Sequence, residues 1–139
     1  MPVIDTMVLF AAANTKDRWH RIGKKALMLV NTDMNWWVPS FSLLEFDLVL
    51  KSRGQTPEER MEKYSLLLHD FPNIIEASYP VTPLIMHEVS RLESVYELDY
   101  FDAGVIATSL ALDGKVATKD KQIQKINEVE TVWEHISQD

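Results

Sequence analysis

The chain has 139 residues, 46% of them hydrophobic, so we expect a single globular domain over residues 1–139. Its 21 acidic residues outnumber 14 basic ones, and the net charge of -7 opposes the wrapping of nucleic acid on a broadly basic surface. Cysteine is absent, which excludes disulfides, thiolate catalysis and cysteine-rich zinc sites. Neither a secretion signal nor an apolar run of bilayer length is found, so we expect a cytoplasmic protein with no membrane partner.

Short apolar stretches alternate with segments of helical periodicity along the chain. Strands are predicted at residues 2–4, 36–38, 74–77, 115–118 and 131–136. Helices are predicted at residues 6–13, 17–30, from Ser40 or Ser42 to 53, from 56 onward, 82–98, 99–112 and 121–126. Strands that alternate with helices imply a parallel sheet covered on both faces, an α/β architecture.

Asp5 lies where the first predicted strand passes into the first helix. Open parallel sheets gather their ligand groups at the carboxyl ends of strands, so this aspartate has a position suited to function. Capping of the helix that follows explains the same position equally well. Asp5 alone therefore does not define a site.

Glu45 falls on the apolar face of its predicted helix, between Phe41 and Leu48. A carboxylate is costly to bury there without a partner. Two interpretations stay open, a buried ion pair with an arginine or lysine and a metal ligand. Asp47 points away from that face, and we expect it to be solvated.

Two further acids lie at the start of later helices. Asp102 is in the first turn of its helix and shares the face that carries apolar side chains, whereas Asp99, three residues earlier, is assigned mainly to capping. Asp120 follows the strand at 115–118 and leaves the sheet on the same edge as Asp5. A plain helix cap would again account for Asp120 by itself.

The four acids Asp5, Glu45, Asp102 and Asp120 gain meaning when they are taken together, because the ends of parallel strands converge. Carboxylates gathered at one point repel each other, and a hard cation such as Mg²⁺ or Mn²⁺ prefers oxygen ligands. Such an ion can activate water for attack on a phosphodiester. The pattern therefore predicts a metal-dependent hydrolase.

The motifs, in chain order, are Val3-Ile4-Asp5-Thr6, Glu45 in the helix after the second strand, Leu98-Asp99-Tyr100-Phe101-Asp102-Ala103 and Val116-Ala117-Thr118-Lys119-Asp120. Over nearly the whole chain they resemble the PIN-domain family, especially toxins of VapC type. The resemblance implies a three-layer α/β/α sandwich with strand order 3-2-1-4-5.

The resemblance also implies an endoribonuclease in which Asp5, Glu45, Asp102 and Asp120 bind Mg²⁺ or Mn²⁺. Thr118 and Thr6 are then expected to orient the acids or a metal-bound water. An RNA substrate, an antitoxin that blocks the acidic cleft and a homodimer are the partners that it implies. Met7 and Gln122 depart from the pattern, which often has asparagine and a further acid there, and so bear on the groups around the ligands.

Other classes of protein are compatible with parts of this pattern. A non-catalytic PIN-fold module that docks in an RNA-processing assembly would keep the fold and the metal. A phosphoacceptor receiver domain would have adjacent acids after the first strand, and a phosphatase of the Asp-x-Asp kind would have an aspartate where this chain has Met7. Lys119 and Lys121, with a basic strip at residues 16–25, are candidate phosphate contacts, although such a strip is more often an ordinary solvated helix face.

Overall fold

The computed structural model describes residues 1–137. The strands are β1 (Val3–Ile4), β2 (Val38–Pro39), β3 (Ser78–Tyr79), β4 (Lys115–Ala117) and β5 (Glu130–Thr131). The helices are α1 (Thr6–Ala13), α2 (His20–Thr32), α3 (Ser40–Ser52), α4 (Pro57–Asp70), α5 (Ile74–Ala77), α6 (Pro83–Val95), α7 (Tyr100–Leu110), α8 (Lys121–Gln124) and α9 (Trp133–Ser137). None of these helices combines the length and the apolar character needed to cross a bilayer.

All strand pairings are parallel. β1 pairs with β4 and β4 with β5, while β2 pairs with β3. The two groups meet where the Ile4 amide donates to the Trp37 carbonyl at 3.0 Å and the Trp37 amide donates to the Pro2 carbonyl at 2.9 Å. The resulting strand order is 3-2-1-4-5, as the resemblance in the motifs implies.

Adjacent residues of the central strands face opposite layers of helices. Val3 of β1 and Val116 of β4 pack in a core cluster with α6 and α7. Ile4 and Ala117, the next residues along, pack in a second cluster with α1 and α2. This alternation is what a strand requires when both faces of its sheet are buried, and it establishes the three-layer α/β/α arrangement.

The predicted third strand at residues 74–77 is wrong, because this segment forms the short helix α5 and the strand is Ser78–Tyr79. Ile74 and Ala77 are both buried while Ile75 is 65% exposed, which is the spacing of a helical turn rather than the alternation of a strand. The apolar composition of a segment this short does not separate the two structures.

The predicted last strand at residues 131–136 is also corrected. β5 ends at Thr131, and α9 begins at Trp133. Trp133 and Ile136, three residues apart, are both buried, so one turn of helix places both side chains in the core. The other predicted boundaries coincide with the observed ones or differ from them by at most three residues.

Helix α3 begins without the serine cap that the sequence predicts, since its cap residue is Pro39. The Ser40 hydroxyl instead donates to the Tyr79 carbonyl at 2.7 Å, and the Ser42 hydroxyl donates to the Ile4 carbonyl at 3.0 Å. Both serines therefore fasten α3 to the ends of neighbouring strands. This attachment holds the following turn of α3, which carries Glu45, beside β1.

Helices α3 and α7 pack in close contact through a glycine. Gly104 of α7 lies so near the ring of Phe41 of α3 that an added Cβ would overlap the ring. The contact is possible only because glycine has no side chain. It brings the helix that carries Asp102 next to the helix that carries Glu45.

Candidate metal centre

Asp5 directly follows β1 and is the N-cap of α1. Its Oδ1 accepts the Thr6 amide at 2.7 Å, and its own amide donates to the Ala117 carbonyl at 3.1 Å. The side chain is only 3% exposed. Both expectations for Asp5 thus hold in one residue, because it caps a helix and lies at the carboxyl edge of the sheet.

Thr118 follows β4 and connects Asp5 to Asp120. Its buried hydroxyl donates to Asp5 Oδ2 at 2.7 Å and accepts the Asp120 amide at 2.9 Å. Asp120 Oδ1 in turn accepts the Gln122 amide at 2.7 Å, which makes Asp120 the N-cap of α8. One hydroxyl therefore contacts both Asp5 at the end of β1 and Asp120 after β4.

Asp102 lies in the first turn of α7 and is 8% exposed. The N-cap of this helix is Asp99, whose Oδ1 accepts the Asp102 amide at 2.9 Å. Glu45 on α3 is half-buried. The hydroxyl of Thr6 favours the charged form of Glu45, although Thr6 Oγ1 is buried and makes no hydrogen bond of regular geometry.

The charges of neighbouring acids shift the pKa values of Asp5, Glu45 and Asp102. Burial raises the pKa of Asp5 to about 6, against hydrogen bonds from Thr118 and Thr6 that lower it, and the charges of Asp120 and Glu45 raise it further. We name the set Asp5, Glu45, Asp99, Asp102 and Asp120 the acidic cluster.

Two further members of the acidic cluster are shifted in the same direction. Burial, followed by the charges of Asp99, Asp5 and Asp120, raises the pKa of Asp102 to about 8. The pKa of Glu45 is raised by burial and by the charges of Asp99 and Asp120. Mutual repulsion of carboxylates in a partly desolvated site explains these directions.

The donor set suits a hard divalent cation, because every candidate ligand is a carboxylate oxygen and the repulsion within the acidic cluster calls for positive charge. In the part of the chain that is described, however, no three acidic or histidine side chains stand close enough to form a finished metal site. Ion binding therefore requires side-chain movement that draws the acids together. The Glu45 carboxylate on α3, which caps no helix, can make such a movement by changing rotamer.

Asp99 is a member of the acidic cluster that the sequence interpretation assigned mainly to capping. It does cap α7, yet its charge also raises the pKa of Glu45 and of Asp102. The three-residue spacing between Asp99 and Asp102 was the available signal, because residues three apart share a helix face. Asp99 therefore has two roles at once.

Asp47 lies outside the acidic cluster but is not simply solvated. Its Oδ1 accepts the Tyr64 hydroxyl at 2.7 Å and lies 3.7 Å from Arg60 Nε, so it joins α3 to α4. Burial and the Asp47 carboxylate raise the pKa of Tyr64 above its usual range. The expectation of a solvated Asp47 is corrected in this respect.

The basic residues near the acidic cluster are partly engaged. Lys119, directly before Asp120, forms an ion pair with Glu134 at 3.0 Å and lies 5.9 Å from the ring of Trp19. In the strip at residues 16–25, Lys25 is half-buried. The other basic side chains of the strip are exposed: Lys16, Arg18, Arg21 and Lys24. The strip is therefore accessible to a solvent-borne ligand over most of its length.

Fold and acids together define a class: a three-layer α/β protein with carboxylates gathered at the carboxyl ends of its parallel strands. A family model described as PIN domain matches residues 3–129. The chain belongs to the PIN-domain family, whose members are generally nucleases and typically use divalent metal ions. A comparison with curated proteins finds no significant match.

Solved structures support the same fold. The chain is similar to the crystal structure of VapBC2 from Rickettsia felis bound to a DNA fragment from their promoter, with a TM-score of 0.69 and 13% identity over 94% of this chain and 96% of that one. It is also similar to PAE2754 from Pyrobaculum aerophilum, with a TM-score of 0.61 and 18% identity over 97% of this chain and 92% of that one.

Proposed function

We propose that the chain is a Mg²⁺- or Mn²⁺-dependent endoribonuclease and the toxin of a VapBC-type toxin-antitoxin pair. The observation that carries the proposal is the acidic cluster, in which acids from four separate segments lie at the carboxyl edge of the sheet and burial and neighbouring charges raise the pKa values of Asp5, Glu45 and Asp102. A fold maintained at such an electrostatic cost is explained if a cation and a phosphodiester occupy the cluster. Membership of a family of nucleases supports hydrolysis as the reaction.

In this proposal Asp5, Glu45, Asp102 and Asp120 hold the ion. A bound divalent cation supplies Lewis acidity toward the phosphodiester and neutralises the carboxylates. Thr118 fixes Asp5 Oδ2 and the Asp120 amide, so it sets the separation of two ligands. The Thr6 hydroxyl lowers the pKa of Glu45 and so stabilises its ionised form.

RNA is proposed as the substrate because the toxins that the motifs resemble act on RNA. The negative charge of the chain leaves little surface for extended nucleic-acid binding, so contacts are expected to be local. Lys119 adjoins Asp120, and Lys121 is exposed on the first turn of α8. These two lysines are placed to contact phosphates beside the cleaved bond.

An antitoxin and a second copy of the chain are proposed as partners. The support is similarity in fold and in length to VapBC2 from Rickettsia felis, a complex of toxin and antitoxin. An antitoxin that enters the cleft would offset the negative charge of the acidic cluster, so a basic side chain on that partner is expected to meet Asp102 or Asp5.

One observation favours a second candidate, a non-catalytic PIN-fold docking module. Within residues 1–137 the acids do not stand close enough together to ligate one ion without moving. A module of this kind would bind an RNA-processing partner and would show no metal-dependent cleavage.

The test is incubation of purified protein with single-stranded RNA, and with DNA of the same sequence, in Mg²⁺ or Mn²⁺. Cleavage of RNA that stops in EDTA supports the nuclease, and Asp5→Asn and Asp102→Asn should each abolish it. Asn keeps the size of the side chain and its capacity to cap a helix, so the loss reports on charge rather than folding.

The matched control is Asp113→Asn. Asp113 is a surface aspartate that binds the N-terminal amine at 2.6 Å, far from the acidic cluster in its contacts. This variant should cleave RNA like the wild type. Cleavage that survives both Asp5→Asn and Asp102→Asn would mean that a contaminant or another site is responsible, and the absence of any metal-dependent cleavage would favour the docking module.

A further inference from the structure

The turn between β4 and α8 carries two of the residues assigned to the metal centre, and a methionine sulfur contacts it. Met7 Sδ accepts the Lys119 amide at 3.2 Å and lies 3.7 Å from Thr118 Oγ1. Met7 belongs to the first turn of α1, two residues after Asp5. The sulfur therefore links the end of β1 to the turn after β4, in parallel with the Thr118 hydroxyl.

The contact with Thr118 is one of packing rather than of hydrogen bonding. A threonine hydroxyl has a single proton, and the proton of Thr118 is donated to Asp5 Oδ2 at 2.7 Å. The sulfur at 3.7 Å accordingly limits the rotation of the Thr118 side chain. Polarizable thioethers fill such irregular gaps and accept weak hydrogen bonds.

Two consecutive amides of this turn depend on side chains for their acceptors. The Asp120 amide binds Thr118 Oγ1 at 2.9 Å, and the Lys119 amide binds Met7 Sδ. Neither amide is part of a regular element, because β4 ends at Ala117 and α8 begins at Lys121. Loss of either acceptor leaves a backbone donor unsatisfied and allows the turn to shift.

We propose that Met7 is a positioning residue of the metal centre: its sulfur holds the Lys119 amide and the Thr118 side chain, and thereby places Asp120 opposite Asp5. The inference rests on the proposed function in so far as these acids bind a metal ion. The methionine sulfur thus accepts a backbone hydrogen bond that the oxygen of an amide side chain could accept at the same place. Partners of this kind typically affect metal affinity by about 10–100-fold.

The test compares Met7→Leu, Met7→Gln and the control Met86→Leu. Leucine keeps the volume but has no acceptor, while glutamine restores an acceptor on a chain of similar length. Met86 is a partly buried methionine of α6 that packs in the other core cluster, so Met86→Leu reports the effect of the substitution itself. Mn²⁺ affinity is measured by calorimetry, and hydrogen exchange of the Lys119 amide by NMR.

Met7→Leu should weaken Mn²⁺ binding by at least about tenfold, and Met7→Gln should recover most of that loss. Lys119 exchange should become about threefold faster or more in Met7→Leu, because a hydrogen bond is lost. Met86→Leu should match the wild type in both measurements. A role in packing alone would instead leave Met7→Gln as weak as Met7→Leu.

Two results would overturn the proposal: wild-type Mn²⁺ affinity in Met7→Leu, or equal losses in Met7→Leu and Met7→Gln. A wild-type protein that binds no Mn²⁺ would contradict the proposed function, and with it the placement of a metal ligand by Met7. Lys119 exchange then still distinguishes the causes, because faster exchange in Met7→Leu would show that the sulfur holds the turn, and unchanged exchange would show that it does not.

Discussion

The hydroxyl of Thr118 donates to Asp5 Oδ2 at 2.7 Å, although the two residues are 113 positions apart in the sequence. The Thr118 hydroxyl oxygen also accepts the Asp120 amide at 2.9 Å. The Thr118 hydroxyl therefore couples Asp5 to Asp120, in addition to the backbone bond from the Asp5 amide to the Ala117 carbonyl. Because Asp5 and Asp120 come from different elements, this hydroxyl is one of the contacts that set their separation.

Thr118→Val should weaken both the fold and the metal centre. Valine has the same shape but leaves Asp5 Oδ2 and the Asp120 amide without their partner, at a cost of about 1–3 kcal/mol in the free energy of unfolding. Metal affinity should fall by about 10–100-fold. Denaturant unfolding and Mn²⁺ calorimetry measure the two effects.

The control for that change is Thr108→Val. Thr108 is also buried, but its hydroxyl donates to the Gly104 carbonyl one turn earlier in α7 at 2.8 Å. Its loss should leave Mn²⁺ affinity unchanged. If Thr108→Val and Thr118→Val weaken Mn²⁺ binding equally, the effect comes from general destabilisation and Thr118 has no special position.

Asp102→Asn should be more stable to heat than the wild type without metal and less stable than the wild type with metal. In EDTA the variant should melt at a higher temperature, because one of the repelling carboxylates of the acidic cluster is gone. In Mg²⁺ or Mn²⁺ the wild type should gain more, since a ligand at a hundredfold excess over Kd adds about 2.7 kcal/mol to the folded state. Thermal melts of both proteins with and without metal provide the measurement.

If the variant is instead less stable in EDTA and gains as much from metal as the wild type does, Asp102 has only a structural role. Asp99→Asn offers a comparison within the same helix. It keeps the cap on the Asp102 amide while removing a charge that raises the pKa of Asp102, so it should also raise the melting temperature in EDTA.

Stability of the metal-free protein should decrease as the pH rises. The pKa of Asp5 is raised from 3.8 to about 6 and that of Asp102 from 3.8 to about 8, so the folded state binds more protons than the unfolded state between these values. The free energy of unfolding therefore falls with pH across this window. Melts in EDTA from below pH 4 to above pH 8 test the sign.

In Asp102→Asn the decrease should end nearer the pKa of Asp5, because the group that titrates at the higher pH is absent. Saturating Mn²⁺ should flatten the wild-type profile, since bound cation favours the ionised carboxylates. A metal-free stability that rises over the same window would contradict the burial of like charges in the acidic cluster.

Tyr64→Phe should destabilise the protein without affecting cleavage of RNA. The lost hydroxyl binds Asp47 Oδ1 at 2.7 Å and joins α4 to α3, so the free energy of unfolding should fall by about 0.5–1.5 kcal/mol. Tyr100→Phe removes a hydroxyl from a ring that is 47% exposed, and its stability should stay near that of the wild type. Urea unfolding compares the two, and equal stabilities would mean that the Asp47 contact contributes nothing.

Gly104→Ala should be costly because the new methyl group overlaps the ring of Phe41. Overpacking of this kind typically costs about 1–3 kcal/mol. Phe41→Leu should lessen the penalty, so the double variant should be more stable than the sum of the single changes predicts. Strict additivity in denaturant unfolding would mean that the two helices separate without strain.

Local chemistry made several features of the fold predictable. The start of α4 is predictable from Thr56, whose hydroxyl suits a cap, and from the acids that follow, and the structure adds a capping box that joins Thr56 and Glu59 in both directions. Gly114 follows α7 and has a left-handed φ of 75°, the conformation for which glycine is favoured after a helix. In each case the residues that decide the structure are neighbours in sequence.

The failures have the opposite cause. The segment Ile74–Ala77 is a helix because the core buries Ile74 and Ala77, which lie one helical turn apart. Ser40 does not cap α3, because its hydroxyl donates to the Tyr79 carbonyl. The contact of Met7 with Lys119 spans 112 positions. Periodicity and capping rules contain no information on such pairs. The positions of Asp5 and Asp120 after strands were therefore predictable, whereas the contact of Met7 and the charge effect of Asp99 on Asp102 were not.

Three of the acids in the cluster, Asp5, Asp99 and Asp120, are also the N-caps of α1, α7 and α8. Alanine at any of them would remove a charge and uncap a helix together, so alanine scanning of this protein confounds chemistry with foldability. Asparagine and serine remove the charge but keep a side chain that can cap the helix, so they separate the effect on chemistry from the effect on folding. A homologue that has lost catalysis but still needs the fold is therefore restricted at these positions to a few polar residues that can cap a helix. Asn or Ser at all three positions would indicate a folded protein without catalytic activity rather than a nonfunctional gene product.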